Sequence, residues 1–239
     1  MNEFKFYYFK TVSSTNDKAK SLVNEGEDRI VVVADKQEKG RGRFGRKWSS
    51  GLGGLYMTIL LKEENLLKVK YLTFMAAVAV AKTIEKLGFS CGVKWPNDVL
   101  VSGKKICGIL TETVTNKDNN TAVIGIGVNV NQNKFGKDIA NKATSLKIES
   151  NKSYNIKNIS KSIIKEFNDL YQYYTKKNYT QIITIWKRYS CTLGEKIKAK
   201  TLSGVYVGEA VDVDKDCNLV LKLDNGKLKK IIEGDIFVV

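Results

Sequence analysis

The chain has 239 residues, 43% apolar and 27% charged, with 40 Lys/Arg against 25 Asp/Glu and no histidine. That length supports one sizeable core, or one core plus a small appended domain. The missing histidine excludes Ser-His-Asp hydrolysis and argues against a transition-metal site.

The net charge of +15 invites a nucleic-acid partner, but it is unevenly spread. Residues 151–200 carry eleven Lys/Arg against three Asp/Glu, residues 201–239 carry five against seven, and a surplus of +9 lies within 1–150. The lysine-rich middle reads as solvated helix faces. Cys91, Cys107, Cys191 and Cys217 form no CxxC pair, which argues against a zinc site and a disulfide framework. The opening MNEFKFYYFK has neither the apolar core nor the cleavage site of a secretory signal. The apolar run around Leu72–Ala81 is too short for a membrane span and meets Lys82, Glu85 and Lys86. A reduced, cytoplasmic protein is expected.

In chain order, the aromatic-rich Phe4–Lys10 predicts a strand, and SSTND at 13–17 offers N-caps for a helix running to about Asn24, with Gly26 near its end. Ile30–Ala34 is a β-branched buried strand. The loop KGRGRFGRKW at 39–48, extended by SSGLGG at 49–54, precedes a strand at Leu55–Leu61. Helical spacing over Tyr71–Leu87 stops at Gly88. Cys91–Trp95 is followed by Pro96, the single proline, in a turn. Asp98–Val101 and Lys105–Val114 read as a hairpin about Ser102-Gly103, and Asp118-Asn119-Asn120 turns into a strand at Thr121–Val130. Gln132–Lys142 reads as a loop, and helices are expected over 155–175 and 179–190. From Glu195 short alternating strands, broken at Ser203-Gly204, Asp214–Asp216 and Asp224–Gly226, predict a separate small β-barrel with its boundary near 193.

Three segments carry chemistry. The 39–48 loop sets three arginines and two lysines around three glycines. Glycine permits close backbone approach and arginine offers planar bidentate donors, a combination suited to an anionic ligand. GRGRFG formally matches GxGxxG, but that fingerprint needs a helix to open within the glycines, and here a strand follows. KWPNDVLVSGKKICGIL at 94–110 places Asp98 after the proline turn, Lys104 and Lys105 at a hairpin, and Gly108 where something can approach the strand backbone. GIGVNVN at 125–131 puts glycines inside a strand, a mark of a bulge or of close packing.

STN at 14–16, Gln37, GRGRFGRKW, KWPND, GKKICGIL and GIGVNVN occur in the order seen in biotin–protein ligases, and the chain resembles that family from about Ser13 onward. The resemblance implies an α+β fold: a mixed β-sheet flanked by helices as catalytic domain (1–192), with a small SH3-like C-terminal β-barrel (193–239). It looks like the short type, without the helix-turn-helix domain of the repressor forms, so sequence-specific DNA binding is not expected. The activity implied is ATP-dependent ligation of biotin, through biotinoyl-AMP, to a lysine of the biotin carboxyl carrier domain of a carboxylase such as acetyl-CoA carboxylase. Mg2+ accompanies ATP; metal ligands are not assigned, and no membrane partner is expected. A homodimer paired through sheet edges is among the arrangements the resemblance implies.

By the same resemblance Ser14, Thr15, Asn16 and Gln37 hydrogen-bond the ureido head of biotin, whose two N–H groups and carbonyl suit hydroxyl and amide partners. Arg41, Gly42 and Arg43 clamp the biotin carboxylate and phosphates, and Arg46 assists. Lys105 is the main electrostatic catalyst, with Arg43 and Arg41 beside it, and Gly108 borders the biotin. Trp48, Asn97, Asp98 and Asn129 belong to the nucleotide side, Trp48 folding over the ligand and Asp98 orienting an arginine or holding magnesium. Lipoate–protein ligases share fold and chemistry, but their RRxSGGG-type segment is absent here.

Overall fold

The computed structural model describes residues 4–23, 29–62, 65–116 and 119–239. Strand β1 (Lys5–Val12) leads into helix α1 (Thr15–Val23), then β2 (Arg29–Gln37), β3 (Leu55–Lys62), helix α2 (Val69–Lys86), β4 (Cys91–Lys94), β5 (Asp98–Val101), β6 (Lys104–Asn116) and β7 (Asn119–Val128). Helices α3 (Leu146–Ser150), α4 (Ile156–Thr175) and α5 (Tyr179–Tyr189) follow. Next come β8 (Lys196–Thr201), β9 (Gly204–Val213), β10 (Leu219–Leu223), β11 (Leu228–Ile231) and β12 (Asp235–Val238).

The first seven strands form one sheet in the order β1-β2-β3-β7-β6-β5-β4. β1 and β2 run parallel, and the other neighbours run antiparallel. The sheet is therefore mixed, as expected. Strand alternation assigns its two faces. Val31 and Val33 of β2, Met57 and Ile59 of β3, and Ile124 and Ile126 of β7 join the large core under α2, α4 and α5. Ile30, Val32, Leu60 and Val123 point the other way, onto Ala19 and Leu22 of α1. Helix α2 is apolar nearly all round because it lies between the sheet and the outer helices; its Phe74 stacks on Trp186 of α5 at 4.4 Å. Among the described residues no helix is long and apolar enough to cross a membrane.

The predicted end of the first helix at Asn24 and Gly26 lies outside the described residues. Helix α3 was not expected. Ser145 starts it, its Oγ accepting from Ile148 N at 3.1 Å. The hairpin at Ser102-Gly103 forms as read, with φ of 50° and 74°, the left-handed pair that a two-residue turn between twisted strands needs.

One expectation needs correction. The five C-terminal strands do not close into a barrel; they make an antiparallel sheet in the order β11-β10-β9-β8-β12, with β11 and β12 at opposite edges. Pairing β12 with β8 carries it away from β11, and the turn into β12 is taken up by other partners. Gly234 O accepts from Arg43 at 3.4 Å, and Asp235 is paired with Arg46. This sheet is joined to the first through Trp95, whose Nε1 donates to Cys217 O at 3.0 Å.

Asp214 organises the turn between β9 and β10, accepting from Asp216 N at 2.9 Å and Asn218 N at 3.0 Å. Burial pushes its carboxyl up, but Lys230 and those N–H groups outweigh burial and bring it down to about 2 from 3.8. A depressed native value stabilises the fold above the ordinary range and is lost as pH falls through the native value. Asp214→Asn is expected to cost about 1 kcal/mol at pH 6, with the deficit shrinking as pH approaches 2. Urea unfolding at both pH values checks this.

A candidate active site on a glycine floor

On the α1 side of the sheet, the positions beyond Val123 in β7 are Gly125 and Gly127. Gly127 lies directly across from Gly108 of β6, and Gly125 across from Leu110. This leaves a patch of sheet bare of side chains. A Cβ at Gly127 would sit 2.4 Å from Trp48 Nε1, and one at Gly108 3.0 Å from the same indole and from Lys105 Cε. One at Gly125 would sit 2.4 Å from Asn16 Oδ1. These glycines serve close approach, not turning. A cavity of about 520 Å³ opens over the floor, walled by the arginine loop, the Lys94–Asp98 turn, Lys105 and, from the C-terminal sheet, Gly234–Phe237.

The loop is a narrow hook. Gly42 N donates to Arg46 O at 2.7 Å and Trp48 N to Gly40 O at 2.9 Å. Its tip is one 3-10 turn over Arg43–Gly45, with Phe44 at φ 57°. No α-helix opens in the glycine run, so the dinucleotide fingerprint fails in structure as in sequence.

The three arginines stand in different situations. Arg41 grips Asp17 with two bonds of 2.8 and 2.7 Å and reaches both oxygens of Glu112 at 3.1 Å. Its guanidinium is thus spent on two carboxylates. Arg46 lies at the surface in a bidentate pair with Asp235. Among the described residues Arg43 makes two long hydrogen bonds, to Asn97 Oδ1 at 3.3 Å and to Gly234 O at 3.4 Å, and lies over the Phe44 ring at 4.9 Å from its centroid. Burial lowers its pKa, leaving it a charged group with open valence at the cavity wall.

Lys105 Nζ lies 2.7 Å from Asp98 Oδ1 and 5.3 Å from the Trp48 ring centroid. Asp98 therefore faces this lysine rather than an arginine. Its buried Oδ1 gains the charge contact without a well-aligned hydrogen bond. Asn97 Nδ2 donates to Ile109 O and fixes the turn. Asn129 lines the cavity, but its Nδ2 is held by Thr144 O at 2.9 Å, so it anchors the 132–144 segment. Trp48 lies flat on the floor, and its buried Nε1 has no hydrogen-bond partner among the described residues.

At the other end Thr15, Asn16 and Gln37 meet. Thr15 N and Oγ1 both donate to Gln37 Oε1, at 2.8 and 3.0 Å, and Gln37 Nε2 donates to Ser50 Oγ at 2.9 Å. Thr58 of β3 reaches Asn16 Oδ1 at 2.7 Å. One N–H of Gln37, one lone pair of Asn16 Oδ1 and an Asn16 N–H held only by Leu110 O at 3.5 Å stay open to a ligand. Ser14 is buried but does not line the cavity; its carbonyl accepts from Lys18 N at 2.9 Å and starts α1. Gly42 and Gly108 both border the cavity.

Sequence reading missed Asp17, Thr58, Glu112 and Asp235. Glu112 had a signal, being a charge on the same β6 face as Gly108 and Leu110. Asp235 had none, lying 189 residues from Arg46. Among the described residues no group of three His, Cys, Asp or Glu side chains is arranged to hold a metal ion.

Gly127→Ala is expected to push the indole off the floor. Trp95 and Trp186 are buried, so a red shift in tryptophan emission would report Trp48; an unchanged spectrum would contradict the close packing.

Two family sequence models match the chain: Biotin/lipoate A/B protein ligase family over residues 8–129, and Biotin protein ligase C terminal domain over residues 192–239. The bifunctional ligase/repressor BirA of Bacillus subtilis is 38% identical over 236 residues, covering 96% of this chain and 72% of the relative. A biotin--[acetyl-CoA-carboxylase] ligase of Paracoccus denitrificans is 38% identical over 49% of this chain and 51% of its own. The biotin protein ligase from Aquifex aeolicus, solved in complex with biotin and ATP, superposes with a TM-score of 0.87 at 29% identity, covering 98% of this chain and 99% of that one. The match over residues 8–129 and the 38% identity that spans 96% of the chain show that it belongs to the biotin/lipoate A/B protein ligase family.

Proposed function

We propose that the protein is an ATP-dependent biotin–protein ligase. The observation that carries this reading is the pairing of two ends in one cavity: amide and hydroxyl groups of Thr15, Asn16 and Gln37 suited to a cyclic urea, and Arg43 and Lys105 suited to a carboxylate meeting a phosphate. In the first step an oxygen of the biotin carboxylate attacks the α-phosphorus of ATP, and pyrophosphate leaves. In the second, the ε-amine of an acceptor lysine attacks the acyl carbon of biotinoyl-AMP; AMP leaves and the amine loses a proton. Two anions approach each other in the first step, and fixed cations in a water-poor cavity relieve that repulsion. Arg43, whose hydrogen bonds are both long, and Lys105, which lines the cavity beside its carboxylate partner Asp98, are the groups placed to do so. Asp98 holds the lysine in place, and Arg46 holds the hook against the second sheet. Mg2+ would accompany the triphosphate as its counter-ion and offset part of its charge. The adenylate is already activated, so no histidine base is required.

The acceptor is the biotin carboxyl carrier domain of a carboxylase, reached in the cytoplasm, and no operator DNA is part of the reading. Residues 1–192 act as the catalytic domain and 193–239 as the appended one; the change of sheet and the separate family match at 192–239 support that division.

Labelled biotin with Mg-ATP is expected to transfer to a carrier domain, with lipoate failing to substitute. Lys105→Ala and Arg43→Ala should each slow adenylate formation by about 10²–10³-fold. Incorporation of lipoate in place of biotin, or full activity of Lys105→Ala, would overturn the assignment.

A further inference from the structure

We propose that Glu112, which lies outside the cavity lining, is a positioning residue that ties the head pocket to the arginine hook. This rests on the functional reading above. Its carboxylate bonds to both parts of the site, and it is the charged group that does so among the described residues; the neutral Ser50 hydroxyl makes a second link, from Gln37 Nε2 to Trp48 O. Oε2 accepts from Asn16 Nδ2 at 2.6 Å, and both oxygens accept from Arg41 at 3.1 Å. Lys20 stands 3.4 Å away.

The arrangement has a direction. An ionised carboxylate can only accept, so it requires Asn16 to turn its NH2 toward β6. Asn16 Oδ1 must then face Thr58, in the room left by the missing Cβ of Gly125, and a flipped amide would set that oxygen against the carboxylate. The donor and acceptor that Asn16 offers a ligand are therefore fixed by a residue that never touches it. The same carboxylate, with Asp17, holds Arg41 at the root of the hook. Arg41 and Lys20 balance Asp17 and Glu112, two charges against two. In this state Arg41 adds little net field to the cavity and acts as an anchor, leaving Arg43 and Lys105 to meet the anions.

The consequence is a specific pattern of failure. Glu112→Gln keeps the shape but places a donor against Asn16 or Arg41. The dissociation constant for biotin, measured by calorimetry, is expected to rise about 10–100-fold, the range for losing a hydrogen bond to a charged group. The KM for ATP should change by less than about threefold, a split that general unfolding would not produce. In an Asn16→Ala background the same change should raise the biotin constant no further. In the free protein, tryptic cleavage at Arg41–Lys47 should quicken about tenfold, because the hook has lost its root. Should Glu112→Gln fail to fold, Glu112→Asp, which withdraws the carboxylate by one methylene, carries the same comparisons. Equal effects on biotin and ATP, additivity with Asn16→Ala, or unchanged cleavage would overturn the proposal. If the unmutated protein binds no biotin, the functional reading has failed, and the cleavage rate alone then decides whether Glu112 holds Arg41.

Discussion

Everything at the site depends on a strip of sheet that has no side chains. In an antiparallel ladder, directly opposed residues point to the same face, so placing glycine at both Gly108 and Gly127 clears one spot on both strands at once. Lys105 and Trp48 lie against that spot, and Asn16 reaches the neighbouring Gly125. The other face of the same strands carries Cys107, Ile109, Ile126 and Val128 into the main core. Rigidity on one side and access on the other thus come from a single alternation.

Charge is handled locally. The net +15 suggests a broadly cationic molecule, yet Arg41, Arg46 and Lys105 each have a carboxylate partner. Burial raises Glu112, but the Asn16 hydrogen bond and the charges of Arg41 and Lys20 win and hold it below the usual carboxylate range. The Arg46 bond likewise holds Asp235 down. Pairing at this density keeps the cations from repelling one another in a tight hook, and leaves one guanidinium, Arg43, with capacity to spare.

Most strands were legible because β-branched runs such as Ile30–Ala34 fix both element and burial. The hook was legible because glycine and arginine there have few other uses together. Gly108 and the 125–131 segment were read as places of close approach, and the approaching groups proved to be Trp48, Lys105 and Asn16. Pairings across distance were not legible. Arg41 meets Glu112 over 71 residues and Arg46 meets Asp235 over 189, and no local pattern marks either. The open second sheet escaped for the same reason: alternation identifies its strands, while closure depends on which edges meet.

The wall contributed by Gly234–Phe237 has a consequence for how the protein is made. A ribosome delivers the chain N-terminus first, so Arg43 and Arg46 exist long before Asp235 does. The pairing of β6 with β7, which lays the floor, also follows the hook along the chain. Until the last wall arrives the growing polypeptide has the cationic hook and the floor but lacks one side of the cavity. The side of the chamber that faces the C-terminal sheet is therefore the last to be supplied, when β12 pairs with β8.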